Sequence, residues 1–143
     1  MCGVVGIIST QKPVAGELYD SLIHLQHRGQ DAAGIMTYNE RFHIKKGTGL
    51  IRDIFDEHNM LRLQGKVGIG HTRYPTVGGF SIEEAQPVLT HVPYGIAMAH
   101  NGNLVNYTEL AQEVAEKDRR HINSSVDIEV ILHIFAHALD HPS

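Results

Sequence analysis

Apolar positions along the chain fall into short blocks whose period switches between strand and helix. The opening run Cys2-Gly3-Val4-Val5-Gly6-Ile7-Ile8 reads as a first strand interrupted by two glycines. Val14, Leu18, Leu22 and Leu25 recur at helical spacing over 13–26, and Gly29 supplies a stop signal. Segments 32–38 and 41–46 predict a hairpin turning at Asn39-Glu40. One or two short helices are expected within 50–63, and a short buried strand over 66–71. The stretch 72–87 is polar and glycine-bearing, a long loop in which Ser81 and Glu84 could cap one helical turn. Two strands follow, over 88–92 and 95–100. Asn106 with Glu109 opens a helix running to about Lys117. A last helix over 125–139 has Ile128, Ile131, Leu132, Phe135 and Leu139 on its apolar face. Strands dominate the middle and helices flank them, which predicts an α+β or layered α/β class.

Composition narrows the function classes. The 143 residues are 42% apolar and 20% charged, which suits one folded domain or part of one rather than a disordered chain. Twelve basic against sixteen acidic residues give a net charge of −4, and the basic runs of a nucleic-acid binder are missing. No apolar run is long enough for a membrane-spanning helix. The single cysteine permits no internal disulfide and no cysteine-based metal or iron–sulfur site. Neither a secretory signal nor a disulfide framework is evident, so the expected compartment is the cytoplasm.

That cysteine follows the initiator methionine. Buried, it would be a small hydrophobe. With Met1 removed, Cys2 would carry a thiol and a free α-amine whose ordinary pKa is about 8, nucleophile and base in one residue. Three polar clusters sit at strand ends or in loops. His27-Arg28-Gly29-Gln30-Asp31 could be a helix C-terminus favoured by the macrodipole. In Gly70-His71-Thr72-Arg73-Tyr74-Pro75-Thr76, Arg73 could hold a carboxylate through a two-pronged pair. In Ala99-His100-Asn101-Gly102-Asn103-Leu104, Asn-Gly suits a tight turn, or an oxyanion hole made of the Asn101 side-chain amide and the Gly102 N–H. Asp127 stands at the start of the last helix, where a carboxylate stabilises the helix and could bind an ammonium group. His133, His137 and His141 recur every four residues after Glu129, a stripe that could bind zinc but lacks any catalytic zinc signature. The glycine pairs 68/70 and 78/79 match no phosphate-binding fingerprint.

The order of these pieces is more specific than any one of them. Cys2-Gly3-Val4-Val5-Gly6-Ile7, Leu25-Gln26-His27-Arg28-Gly29-Gln30-Asp31-Ala32-Ala33-Gly34-Ile35, Gly68-Ile69-Gly70-His71-Thr72-Arg73-Tyr74, Glu84-Ala85-Gln86-Pro87 and Ala99-His100-Asn101-Gly102-Asn103-Leu104 span nearly the whole chain. Together they strongly resemble the class II glutamine amidotransferases, which are N-terminal-nucleophile hydrolases. Gln30 and Tyr74 favour the branch that begins purine synthesis. The glucosamine 6-phosphate synthases usually show Arg-Gly-Tyr-Asp and His-Thr-Arg-Trp in these places.

The resemblance implies a four-layer αββα sandwich and the glutaminase half-reaction. Ammonia would be released from L-glutamine through a thioester on Cys2, for transfer to phosphoribosyl pyrophosphate. It implies that Asn101 and Gly102 hold the oxyanion and that Arg73 and Asp127 bind the α-carboxylate and α-ammonium of glutamine. His71 and Thr76 would help bind substrate, Arg28 would organise the site, and residues 74–79 would form the loop that closes over it. The family's glutaminase domain is longer than 143 residues. The chain is therefore expected to hold the N-terminal part of that domain, with the sandwich incomplete on its C-terminal side and the phosphoribosyltransferase domain absent. No metal or cofactor is expected in this chain, magnesium being needed only by the missing domain. No nucleic acid or membrane partner is expected, and a homo-oligomer is left open. Val126 and Ile128 depart from the family's usual hydroxyl residues beside the binding Asp, so any hydrogen bond from those hydroxyls would be lost. Two other readings are a glucosamine 6-phosphate synthase type of glutaminase and a truncated, non-catalytic homologue.

Overall fold

The computed structural model describes residues 1–74, 81–117 and 121–141. They form two compact units, one of residues 1–87 with 99–101 and one of 88–98 with the rest.

The first unit is built on a four-stranded antiparallel sheet in the order β1-β4-β2-β3, with β1 Gly3–Ile8, β2 Ala32–Asn39, β3 Arg41–Thr48 and β4 Val67–Arg73. Strand side chains alternate between faces. Val5, Ile7, Ala33 and Ile35 point to one face, where α1 (Ala15–Leu25) supplies Leu18 and Leu22, α2 (Ile51–Ile54) supplies Ile51 and Ile54, and α3 (Glu57–Arg62) adds the partly buried Met60. The helical spacing of Val14, Leu18 and Leu22 therefore becomes one stripe with no solvent exposure. Gly68 and Gly70 of β4 lie under Leu18 and Leu22, so the helix approaches the sheet closely. The opposite face carries Ile69, His71 and Arg73 beside Ala32, Gly34 and Met36, and leaves Val4, Ile8, Tyr38, Ile44 and Val67 exposed.

In the second unit, the hairpin of β5 (Val88–Thr90) and β6 (Ile96–Met98) packs on α5 (Asp127–Asp140), which also meets α4 (Tyr107–Lys117). Its core is Val88, Ile128 and Leu132, with Ile96, Met98, Val126 and Ile131 packed around them. The protein is thus a mixed α/β fold with antiparallel sheets.

Several sequence expectations shift. Strand β4 runs on to Arg73 rather than stopping at 71, because β1 and β2 both ladder with it there, through Gly3 and Ala32. Ser81 caps a short 3₁₀ turn by accepting from the Glu83 N–H, while Glu84 turns away to pair with Arg73. Phe135 and Leu139, expected on the apolar face of the last helix, are 45% and 41% exposed. A two-stranded hairpin and one helix cover only part of α5, and Val130 and Ala136 take the buried positions instead.

Leu22 is fully buried between α1 and the sheet. Leu22→Ala is expected to lower stability by about 2–5 kcal/mol through lost burial and a residual cavity. Urea unfolding followed by circular dichroism would show this as a lower midpoint with an unchanged slope.

Candidate active site

The site is assembled around one peptide group at the start of β1. The Cys2 carbonyl accepts two hydrogen bonds, from Arg28 Nε at 3.1 Å and from Asn101 Nδ2 at 2.9 Å. The next N–H, of Gly3, donates to Thr72 Oγ1 at 3.1 Å. Donors and acceptor come from positions 26, 69 and 99 residues away in sequence. Extending the β1–β4 register by one residue sets Cys2 opposite Arg73.

Local sequence explains why these groups can converge. Helix α1 ends at Leu25, and a 3₁₀ turn over Gln26–Arg28 carries Arg28 back toward β1. Gly29 then crosses the end of β4, where a Cβ would lie 2.4 Å from the backbone C and O of Arg73. No side chain fits there, and Asp31 N donates to Arg73 O at 3.2 Å just beyond. Arg28 is therefore more than a cation at a helix end, since its side chain spans the gap to the Cys2 carbonyl. Asn101-Gly102 lies in irregular loop backbone to which no turn is assigned. An amide NH₂ has two hydrogens, so the bond to Cys2 engages one of the pair on Asn101.

Arg73 is largely buried, and its NH1 donates to Glu84 Oε2 at 2.5 Å. Guanidinium presents five N–H donors in a planar fork that suits carboxylate partners. His71 is 1% exposed, and neither ring nitrogen meets hydrogen-bond geometry. Burial pushes its pKa down to about 4; the nearby His100 backbone opposes this, and the charges of Arg73 and His100 add to it. The imidazole is therefore neutral near pH 7. Thr76 and most of the expected closing loop lie outside the described residues.

Gly102 and Asp127 belong to the second unit. Asp127 is the first residue of α5, and its Oδ2 accepts the Leu104 N–H at 2.5 Å. The carboxylate thus fastens the backbone just beyond Asn101-Gly102. Glu129, one turn into the helix, accepts from the backbone and side chain of both Asn123 and Ser124 at 2.5–3.1 Å. Burial alone would raise its pKa, but these four donors more than offset that and hold it below its ordinary value. Committed inward, Glu129 does not complete the histidine stripe. His133 Nε2 lies 3.9 Å from it, while the rings of His137 and His141 meet at a tilt of 53° with centroids 4.7 Å apart. No group of three or more potential metal ligands occurs among the described residues. Ile128, where the family usually has a hydroxyl, points into the core beside Val88 and Leu132.

Sequence reasoning did not single out Thr72 and Gln86, and it read Glu84 only as a cap and Glu129 only as the start of a metal-binding stripe. Gln86 is buried and accepts the His100 N–H on Oε1 at 2.7 Å. The string Glu84-Ala85-Gln86-Pro87 was the available signal, without any indication of what these side chains would touch.

Residues 55–140 match the model of the family described as glutamine amidotransferase domain, and the chain belongs to that family. The chain is 52% identical over 143 residues to an amidophosphoribosyltransferase of Pasteurella multocida. It is 54% identical over 142 residues to that of Escherichia coli. These alignments cover 99% and 98% of the chain but 28% of each relative, so the chain spans little more than a quarter of their length. A solved structure titled as the allosteric regulatory enzyme of purine biosynthesis superposes with a TM-score of 0.83 at 39% identity, over 93% of this chain and 29% of that one. The glutamine phosphoribosylpyrophosphate amidotransferase of B. subtilis, complexed with ADP and GMP, gives 0.81 at 38%, over 93% and 28%. No helix among the described residues is long and apolar enough to cross a membrane.

The buried neutral His71 has a pH consequence. Its folded pKa is below the ordinary 6.5, so the unfolded chain binds the extra proton first. The stability of the neutral form is fully present above pH 6.5 and is lost as pH falls toward 4. The loss is up to about 3 kcal/mol. Denaturant midpoints across that window should fall for the native chain and fall less for His71→Asn.

Proposed function

We propose that the chain carries the glutaminase half-reaction of an amidophosphoribosyltransferase, with L-glutamine as substrate. The observation that supports this best is the convergence of Arg28, Thr72 and Asn101 on the Cys2–Gly3 peptide, because it fixes the one thiol at a defined place. Loss of Met1 frees the α-amine of Cys2 to take the thiol proton. The thiolate attacks the side-chain carboxamide carbon of glutamine, and the second Asn101 amide hydrogen with the Gly102 N–H receives the oxyanion. As the tetrahedral intermediate collapses, the C–N bond breaks and the α-ammonium donates its proton to the departing ammonia. Water then hydrolyses the glutamyl thioester, giving glutamate and the free thiol.

Recognition is ionic at the far end of the substrate. Arg73 pairs with the α-carboxylate and Asp127 with the α-ammonium, ionic recognition that positions the carboxamide for attack. Arg28 positions Cys2, the neutral His71 ring lines the floor beside Arg73, and Thr76 contributes from the closing loop. Ile128 faces the core and Asp127 is retained, which favours substrate binding despite the missing hydroxyls.

In this reading the chain is the N-terminal part of a class II glutaminase domain, and its sheets belong to a four-layer αββα sandwich. Ammonia goes to phosphoribosyl pyrophosphate, at a phosphoribosyltransferase domain of the kind the longer relatives' name describes, as the nitrogen-donating step of purine synthesis. The glutaminase step calls on no metal or cofactor, and the protein works in the cytoplasm.

The deciding experiment is intact mass after incubation with diazo-oxonorleucine, an electrophilic glutamine analogue. A chain lacking Met1 should gain one adduct, which Cys2→Ala should abolish. Cys2→Ala should also cut glutamine hydrolysis by at least about a thousandfold. Asn101→Ala should lower kcat by about a hundredfold or more. A chain lacking Met1 that stays unmodified at saturating analogue would overturn the reading.

A further inference from the structure

The sheet face that carries His71 and Arg73 is crossed by a short strap, residues 81–87, seated by contacts unrelated to its own helical turn. The Gln86 carbonyl sits directly on Gly34 of β2, where a Cβ would come within 2.1 Å of its oxygen. One residue earlier, the Ala85 carbonyl accepts from Lys46 Nζ at 2.6 Å. Lys46 is the β3 residue paired with Gly34, so adjacent positions of the sheet hold adjacent residues of the strap. Ala85 and Gln86 are buried.

Two side chains of this seated segment reach out to different places. Glu84 accepts from Arg73 NH1 at 2.5 Å in a largely buried pair. Gln86 Oε1 accepts from His100 N at 2.7 Å. His100 immediately precedes Asn101, whose amide is on the Cys2 carbonyl. A free arginine side chain loses rotamer entropy when immobilised. A buried carboxylate partner bears that cost before substrate arrives. A backbone N–H held by a buried side-chain acceptor likewise fixes the peptide that aims Asn101.

We propose that Glu84 and Gln86 are positioning residues, one strap setting the two ends of the glutamine site: Glu84 orients Arg73 for the substrate α-carboxylate, and Gln86 orients Asn101 for the oxyanion. This rests on the function proposed above. The two roles differ in when their contact is made. The carboxylate contact exists in ground and transition states alike, whereas the oxyanion contact forms only in the transition state.

Steady-state glutaminase kinetics of the full chain with Glu84→Gln and Gln86→Met separate these roles. Glu84→Gln should raise KM for glutamine by about tenfold or more with a smaller change in kcat. Gln86→Met, which keeps side-chain length but loses the amide acceptor, should lower kcat by about tenfold or more with a smaller change in KM. Two structural readouts stand apart from activity. Amide exchange at His100 should accelerate by at least about tenfold in Gln86→Met and stay unchanged in Glu84→Gln. The Arg73 Nε–H resonance should broaden only in Glu84→Gln. The proposal is overturned if His100 protection survives in Gln86→Met, if Arg73 is unaffected in Glu84→Gln, or if both variants change KM and kcat in the same proportion. A native chain that fails to hydrolyse glutamine would count against the proposed function instead, and the exchange and resonance data would still decide the strap.

Discussion

The peptide between Cys2 and Gly3 is the constraint on which the rest of the structure depends. β1 is an edge strand, so its first residues have a ladder partner on one side only. An edge terminus next to the chain start would ordinarily fray. Here its carbonyl is held by a charged donor and a neutral amide donor, and its N–H by a hydroxyl. In the role proposed for it, Cys2 needs positional precision within fractions of an ångström. Three hydrogen bonds on the adjoining backbone supply it.

Each of the three donors and acceptors needs its own support, and that support accounts for much of the surrounding architecture. Thr72 is in place because β4 is laddered on both sides to its last residues. Arg28 is in place because α1 stops and Gly29 lets the chain pass against the Arg73 backbone. Asn101 follows a peptide held by Gln86, which is itself seated on Gly34. Gly29 and Gly34 of the family strings thus mark where backbone meets backbone. The second unit repeats the principle with carboxylates: Asp127 holds Leu104, and Glu129 gathers the 123–124 loop beneath the start of α5.

Much of this was legible in the sequence, for identifiable reasons. Amphipathic spacing located α1, and the β2–β3 hairpin followed from alternation around Asn39-Glu40, where Glu40 takes a positive φ of 61°. The Cys2, Arg28, Arg73 and Asn101 clusters stood out by their order along the chain, since each alone has a structural reading. Other features were not legible. The pairing of Arg73 with Glu84 displaced a local capping role for Glu84, since an 11-residue separation across a loop leaves no periodic signature. Gln86 and Thr72 read as ordinary polar loop residues until their partners at His100 and Gly3 were known. The apolar face assigned to α5 was too wide, because helical period reports what could be buried and not how much surface the neighbours cover.

By itself, then, the sequence determined the element types and the chemical inventory: one thiol beside the chain start, two cations, one amide and one carboxylate at element ends. Those follow from local propensity and from which side chains can do acid, base or nucleophilic work. Tertiary structure alone decided which atoms meet. The site's hydrogen bonds join residues up to 99 positions apart, and strand register and glycine-sized gaps bring such residues together. Register is a property of the assembled sheet, set by all its strands at once, and no single segment carries it.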